Sequence, residues 1–235
     1  MFDLTPATET DLATAYAHPQ GPWLRANMVI SLDGSATVEG RVGGLTSPED
    51  QVLLHLLRSL ADVTLVGAGT IRAEGYGPLG VSAEVAAARA SRGQTPEPGL
   101  AIVTHSCDLD PTTSLFTEAT TRPIVITHEG ADPGRRAALA RVADVVLAGE
   151  RRVDLAEAVR ALHARGLTRV LTEGGPSLLA DLFDADLVDE LLFVLSPQLV
   201  GAGVPLTTGA QTPRRLSLTA VHRGDDFLFL QYRRA

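Results

Sequence analysis

Strand-like and helix-like segments alternate along the middle of this 235-residue chain, and no other feature constrains the fold as strongly. Short apolar runs predict strands at residues 63–66, 100–104, 123–127, 142–147 and 168–171. Segments with helical periodicity accompany them at residues 48–60, 81–92, 133–141, 154–165 and 177–183. Because parallel strands need long crossover connections, usually helices, this alternation predicts an α/β fold with a mainly parallel sheet and flanking helices.

The two ends of the chain lack this alternation. A polar lead-in over residues 1–22 precedes an apolar run at residues 24–32, where Asp33-Gly34 favours a hairpin into residues 35–38. Near the C terminus, strand-like runs follow one another without intervening helices, at residues 190–195, 216–222 and 227–232. These runs predict antiparallel edge strands. Since we find no repeat and no long linker, we expect a single domain over residues 1–235.

Composition excludes several kinds of chemistry. All 20 basic side chains are arginines, so the chain has no lysine for a Schiff base or a Walker-type phosphate loop. The single cysteine, Cys107, excludes intramolecular disulfides and cysteine-rich zinc sites. A net charge of −8 argues against nucleic acid and anionic membranes as partners, and no apolar run approaches the ~18 residues of a membrane span. Because the start also lacks a signal-peptide pattern, we expect a soluble, cytoplasmic protein.

Two glycine-containing segments directly follow predicted strands. Gly174-Gly175-Pro176-Ser177 comes after the strand near residue 171, and Pro176 suits the first position of a helix. Exposed N–H groups at such a turn can bind a phosphate, although a purely structural tight turn also uses paired glycines. Gly67-Ala68-Gly69-Thr70 repeats the layout as a small-residue turn after a buried strand. It is not a Rossmann fingerprint, because Arg72 occupies the third glycine position.

Polar residues at predicted strand ends are the other candidates for a site. Asp33, Glu74 and Glu173 each follow an apolar run, so each either contacts a polar ligand or stabilises a turn. Asn27, the only asparagine, lies inside the first apolar strand. A buried amide there needs hydrogen-bond partners, so Asn27 either contacts a ligand or hydrogen-bonds to other groups within the core. The spacing of the histidines indicates no metal site.

Taken together, these phrases resemble the riboflavin-biosynthesis pyrimidine reductase family, which has the dihydrofolate reductase fold. The resemblance covers residues 22–234 and rests on five segments in this order: Asn27-Met28-Val29-Ile30-Ser31-Leu32-Asp33-Gly34, Thr46-Ser47-Pro48, Gly67-Ala68-Gly69-Thr70, Glu173-Gly174-Gly175-Pro176 and Leu187-Val188-Asp189-Glu190-Leu191. It implies an NADPH-dependent oxidoreductase that reduces 5-amino-6-(5-phosphoribosylamino)uracil to the ribitylamino product by hydride transfer to the sugar C1. A stand-alone paralogue that reduces dihydrofolate or another pterin or carbonyl compound is the alternative.

The resemblance also implies roles for individual residues. Those expected to contact NADPH are Val29, Val66, Gly67, Thr70, Gly174, Gly175, Pro176, Ser177 and Leu178. Arg58 is expected at the substrate phosphate, with Glu173 and Glu74 at polar groups of the substrate. Independently of the resemblance, Asn27 is a candidate for a substrate contact. Imine reduction needs a nearby acid or an ordered water, and Glu74 or Asp33 is the candidate proton donor. From its charge and position alone, Arg72 is a candidate for the 2′-phosphate of NADP. We expect a homodimer formed by edge-to-edge pairing of the C-terminal strands, and no bound metal.

Overall fold

The computed structural model describes residues 14–201, 203–209 and 212–235. It is a mixed α/β protein, as the sequence predicts. Its strands are β1 Trp23–Ser31, β2 Val63–Gly67, β3 Gly99–Val103, β4 Ile124–Thr127, β5 Asp144–Leu147, β6 Arg169–Thr172, β7 Glu190–Ser196, β8 Leu216–Gly224 and β9 Phe227–Arg234. Its helices are α1 Pro48–Leu60, α2 Ala68–Glu74, α3 Ala83–Ser91, α4 Ser114–Thr117, α5 Pro133–Leu139, α6 Leu155–His163 and α7 Pro176–Asp184.

Chain contacts divide the protein into two compact units. The first unit contains the described residues up to Leu57 and those from Thr172 onward, and the second contains Arg58–Leu171. The expectation of one domain over residues 1–235 rested on the lack of a linker. Because the first unit is built from both ends of the chain, the boundary between the units needs no linker. Most of the predicted polar lead-in lies outside the described residues.

The second unit contains a parallel sheet. Strands β2, β3, β4 and β5 pair in parallel in that order, and β6 lies beside β2. Helix α6 begins after Asp154, whose side chain accepts a hydrogen bond from the backbone N–H of Glu157. Its buried side chains lie on the predicted apolar face: Leu155, Ala158, Val159 and Leu162. A second cluster of buried side chains, which includes Val66, Ile102 and Leu115, forms a core around β2, β3 and β4.

In the first unit the strands follow the order β1-β7-β9-β8. Strand β1 pairs with β7 in parallel, whereas β7 with β9 and β9 with β8 are antiparallel. This confirms the predicted change to antiparallel pairing near the C terminus. Helix α1 begins as predicted, because the hydroxyl of Ser47 accepts a hydrogen bond from the N–H of Asp50.

The predicted hairpin after β1 is wrong. The N–H of Gly34 donates to the carbonyl of Ser31, so the chain makes the expected turn. Residues 35–38 then form no strand, and Ser35 makes an isolated bridge to Pro205 instead. The N–H of Ala36 donates to the carbonyl of Val204 at 2.7 Å. The N–H of Ser31 still donates to the carbonyl of Ser35, but beyond this bond the segment pairs with residues 204 and 205 instead of continuing along β1.

Candidate functional site

The glycine pair after β6 forms a tight connection in the first unit. Gly174 has a φ of 81°, a left-handed conformation that favours glycine, and the Gly174–Gly175 peptide bond is cis. A Cβ added to Gly174 would lie 3.1 Å from the thioether of Met28, so the backbone passes close to β1 at this point. The absence of a side chain at Gly174 therefore allows both the turn and the close approach.

Helix α7 starts directly at this connection. Gly175 is its N-cap and provides no side-chain hydrogen bond, and no acidic residue lies in the first turn. Pro176 has no N–H, so Ser177 and Leu178 offer the first backbone donors. Ser177 is exposed, and its hydroxyl lies 2.9 Å from that of Thr208. An uncapped N terminus with a positive helix dipole suits a phosphate group, so this part of the structure fits the cofactor predicted from the sequence.

Two residues of β1 that the sequence singles out are buried. Asn27 and Val29 are each 8% exposed, and they lie on the same face of the strand. The Oδ1 atom of Asn27 is buried without a hydrogen-bond partner among the described residues. A buried carbonyl without a hydrogen-bond partner is energetically costly. The amide of Asn27 is therefore better explained by a ligand that donates to it than by a structural role within the core. Its contact with substrate stays a prediction.

Asp33 is held by several hydrogen bonds. Its carboxylate accepts from the hydroxyl of Ser31, from the N–H of Gly201 at 2.7 Å and from the N–H of Val200 at 3.1 Å. These bonds stabilise the charged form and lower the pKa of Asp33 to about 2. Both carboxylate oxygens of Asp33 already accept hydrogen bonds from other groups of the chain. The geometry therefore argues against Asp33 as the proton donor, and Glu74 is the remaining candidate from the sequence.

The segment after β2 in the second unit differs from the predicted turn. Gly67 adopts an extended conformation and caps a helix, α2, that runs from Ala68 to Glu74. Thr70 therefore lies on a helix, half-buried, and Glu74 ends that helix rather than a strand. The sequence suggested a loop because glycine is unfavourable inside helices, yet Gly69 is tolerated there. The proposed contacts of Gly67 and Thr70 with NADPH stay predictions.

Val66, Arg72 and Arg58 also lie in the second unit. Val66 is completely buried in its core, so its predicted place beside the cofactor stays untested. Nη1 of Arg72 donates to the carbonyl of Asp108 at 2.8 Å, and the residue is exposed. The guanidinium of Arg58, in the last turn of α1, lies 5.7 Å from the ring centre of Tyr76, within range of a cation–π contact. Both arginines remain candidates for phosphate groups.

Glu173 is half-buried and lies between β6 and the glycine pair, where the sequence places it. Thr208 is a residue that sequence reasoning missed, although its hydroxyl contacts Ser177. It lies 31 residues further along the chain in an irregular segment, so no periodicity or motif points to it. Within residues 14–201, 203–209 and 212–235, no cluster of three or more possible metal ligands occurs. No helix in that part of the chain is long and apolar enough to cross a membrane.

Comparison with known proteins decides the family. The family model for the RibD C-terminal domain matches residues 22–228. The chain belongs to the RibD C-terminal domain family. The chain is also similar to the 2,5-diamino-6-ribosylamino-4(3H)-pyrimidinone 5′-phosphate reductase of Archaeoglobus fulgidus, with 30% identity over 181 residues that cover 77% of this chain and 82% of that protein.

Solved structures agree with this membership. A pyrimidine reductase-like protein from Corynebacterium diphtheriae superimposes with a TM-score of 0.82 at 30% identity, covering 91% of this chain and 92% of that one. Dihydrofolate reductase from Enterococcus faecalis matches with a TM-score of 0.53 at 14% identity, over 90% of this chain and 96% of that one. The second match shows the fold alone, and it confirms the dihydrofolate-reductase-like fold expected from the sequence.

Proposed function

We propose that this chain is a cytoplasmic, NADPH-dependent reductase of riboflavin biosynthesis that reduces the ribosylamino group of a pyrimidine 5′-phosphate. Its family and its A. fulgidus relative support the reductase activity. The structural observation that carries the proposal is the uncapped start of α7 after the Gly174–Gly175 connection, because it suits a phosphate of the cofactor. Reductases of the dihydrofolate-reductase-like fold typically use a nicotinamide cofactor.

The substrate we propose is 5-amino-6-(5-phosphoribosylamino)uracil. The name of the A. fulgidus relative instead specifies a 2,5-diaminopyrimidinone, which carries the same ribosylamino phosphate on a pyrimidine ring with an amino group at C2. The test measures NADPH oxidation by the purified chain with each pyrimidine in turn, and with dihydrofolate as the alternative substrate. Turnover of the uracil compound supports the proposal, and preferential turnover of the diamino compound would assign to this chain the substrate named for the A. fulgidus relative instead. Turnover of dihydrofolate alone contradicts both.

When bound, NADPH supplies the hydride, and the residues of this chain bind, orient and provide a proton. Ser177 and Leu178 would hold a cofactor phosphate with their backbone N–H groups. Asn27 would accept a hydrogen bond from a polar group of the substrate. Glu74 is the proposed proton donor, since the carboxylate of Asp33 is already engaged as a hydrogen-bond acceptor within the chain.

Glu173→Gln tests the assignment of Glu173 to the substrate. We expect the KM for the pyrimidine to rise, because the change removes one negative charge while keeping the shape of the side chain. The affinity for NADPH should stay close to that of the native chain. An equal loss of NADPH affinity would contradict this role.

Arg72→Ala tests the assignment of Arg72 to the 2′-phosphate. Arginine has five N–H donors, and among the described residues the exposed guanidinium of Arg72 uses one of them, on the carbonyl of Asp108. We expect the preference for NADPH over NADH to narrow, because only NADP carries that phosphate. Arg122→Ala, which removes an exposed arginine near β5, is the control. An unchanged preference in Arg72→Ala would remove the residue from this role.

We also propose a homodimer, formed through one face of the C-terminal strands. The register places Phe193, Leu195, Leu228, Leu230 and Leu218 on the same face of β7, β9 and β8, because Phe193 pairs with Leu230 and Leu195 pairs with Leu228. All five are at least partly exposed, and Leu218 is 52% exposed. On the opposite face, Val194, Phe229 and Gln231 are buried. This apolar face supports pairing through the face of the sheet rather than along its edge.

Light scattering of Leu218→Asp measures the oligomeric state. We expect the molar mass to fall to that of one chain, because a carboxylate cannot be buried in an apolar interface without a partner. Ser217→Asp is the matched control, since Ser217 is exposed on the same strand but points to the opposite face. A dimer that survives Leu218→Asp would contradict an interface on this face.

A further inference from the structure

A segment after β7 is attached to the first unit by hydrogen bonds from residues far away in the sequence. We call residues 198–201 and 203–209 the strap. The N–H of Leu32 donates to the carbonyl of Gln198 at 2.8 Å, and the side-chain amide of Gln198 donates to the carbonyl of Gly44 at 2.7 Å. The strap is thus connected at its start to the irregular chain that follows β1.

Asp33 provides the charged attachment. Its Oδ2 atom accepts from the N–H of Gly201 at 2.7 Å, and both carboxylate oxygens lie within 3.2 Å of the N–H of Val200. These residues are 167 and 168 positions away in the sequence. Hydrogen bonds from amides to a carboxylate are stronger than those to a neutral acceptor, so Asp33 stabilises this part of the strap more than an uncharged side chain would.

Shortly after Gly201 in the chain, the strap packs closely against the segment that follows β1. Gly203 packs against Ser35, and an added Cβ would lie 1.9 Å from its hydroxyl oxygen. The N–H of Ala36 donates to the carbonyl of Val204. Only glycine leaves room for the strap at this distance, so its path beside the chain after β1 is fixed by packing as well as by charge.

The far end of the strap reaches the start of α7. The hydroxyl of Thr208 lies 2.9 Å from that of Ser177, and the N–H of Thr208 lies 3.5 Å from the carbonyl of Pro176. Pro176 and Ser177 belong to the N-terminal turn of α7, to which we assign a phosphate of the cofactor. The strap therefore links the Asp33 carboxylate to the N-terminal turn of α7 within a single compact unit.

We propose that Asp33 is a positioning residue, whose carboxylate fastens the strap so that Thr208 holds Ser177 and the first turn of α7 in place for the cofactor. This inference rests on the proposed function for its effect on NADPH, but not for the attachment itself. It replaces the role of proton donor that the sequence suggested for Asp33.

Asp33→Asn tests the attachment, because it preserves the shape and removes the charge and one acceptor. Asp110→Asn is the matched control: Asp110 is also exposed, and it accepts the N–H and hydroxyl of Thr112 in the second unit. Hydrogen exchange measured by mass spectrometry should become faster at Val200 and Gly201 in Asp33→Asn and remain at the native rate in Asp110→Asn. Native rates at these two amides in Asp33→Asn would overturn the attachment.

The effect on the cofactor is measured by titrating NADPH fluorescence without substrate. We expect the dissociation constant to rise roughly tenfold in Asp33→Asn, as expected for losing a hydrogen bond to a charged group, with a smaller change in kcat. Thr208→Val should raise it as well, and Thr208→Ser should restore it, since serine keeps the hydroxyl. Faster exchange with unchanged NADPH affinity would overturn the link from strap to cofactor. If the native chain binds no NADPH, the proposed function fails, whereas the exchange experiment still decides the attachment.

Discussion

Replacing Glu190 with leucine should be among the most destabilising single changes in the first unit. This glutamate of β7 accepts hydrogen bonds from Arg25 and Trp23 of β1 and from Gln231 and Arg233 of β9. The side chains of Arg25 and Glu190 are both 0% exposed. Because its partners come from both neighbouring strands, Glu190 joins the parallel and the antiparallel part of this sheet.

The expected cost follows from the buried arginine that the change leaves behind. Removing one partner of a buried ion pair typically costs about 3–5 kcal/mol, which is a large share of the ~5–15 kcal/mol that stabilises a typical domain. Replacing both partners by apolar side chains is far less costly. We therefore expect the double variant Arg25→Met, Glu190→Leu to be more stable than Glu190→Leu alone.

The measurement is guanidinium unfolding followed by circular dichroism, with the slope of the transition checked in each variant. Asp144→Asn is the control, since its ion pair with Arg122 is about half exposed and should contribute less than about 1 kcal/mol. If Glu190→Leu loses no more than this control, or the double variant is the least stable, the reasoning is wrong.

The same pair predicts a pH dependence. Burial opposes the ionisation of Glu190, but the charge of Arg25 and the hydrogen bonds from Gln231, Arg25 and Trp23 together hold the pKa of this carboxyl below the value of 4.5 expected for an unperturbed glutamate. A carboxyl with a lowered folded-state pKa stabilises the protein above its unfolded pKa and loses this contribution as the pH falls through the folded value. Native protein should therefore lose stability in acid more steeply than Glu190→Leu does.

Three further changes test other parts of the fold. Burial raises the pKa of Asp50 from 3.8 to about 6. The free energy of unfolding should therefore fall by about 3 kcal/mol as the pH rises between these two values. Urea unfolding of Asp50→Asn should show no such fall. Gly174→Ala should lower the stability measured by thermal unfolding by about 1–2 kcal/mol, because Gly174 has a positive φ and the new Cβ would lie 3.1 Å from the thioether of Met28. Gly43→Ala is the control, since a Cβ at Gly43 has no atom within 4 Å. Arg89→Met should cost about 3 kcal/mol or more in urea unfolding by leaving buried carbonyls unpaired, whereas the exposed Arg165→Met should stay within about 0.5 kcal/mol. Equal effects within either pair of variants, or an unchanged pH dependence in Asp50→Asn, would contradict these expectations.

The features predicted correctly from the sequence are those fixed by neighbours along the chain. The side chains of Asp154 and Ser47 each accept a hydrogen bond from an N–H three residues further on, so the residue types alone identify the helix starts. The Gly174-Gly175-Pro176 connection is recognisable for the same reason. Its glycine conformations and the helix start depend on consecutive residues, and the structure places the turn where the sequence predicts it.

The features that the sequence could not predict depend on distant partners. Asp33-Gly34 favours a hairpin by local rules, but its carboxylate binds amides about 170 residues away, and the hairpin does not form. The half-exposed apolar face of β8 and β9 depends on a register that includes a bulge near Leu218, and periodicity alone does not give a register. Thr208 was missed because its contact with Ser177 is visible only once the strap is folded.

The arginines of this lysine-free chain show why counting charges overstates the cations available to a phosphate. Arg89 is completely buried, and its guanidinium donates to the carbonyls of Ser59 and Ala61 at the end of α1 and to that of Thr95 after α3. A lysine has three donors on one nitrogen and could not span these carbonyls, whereas the planar fork of arginine can. Arg25 is likewise committed to its buried ion pair. The arginine that we propose for the 2′-phosphate, Arg72, is instead exposed, and its guanidinium donates to the carbonyl of Asp108.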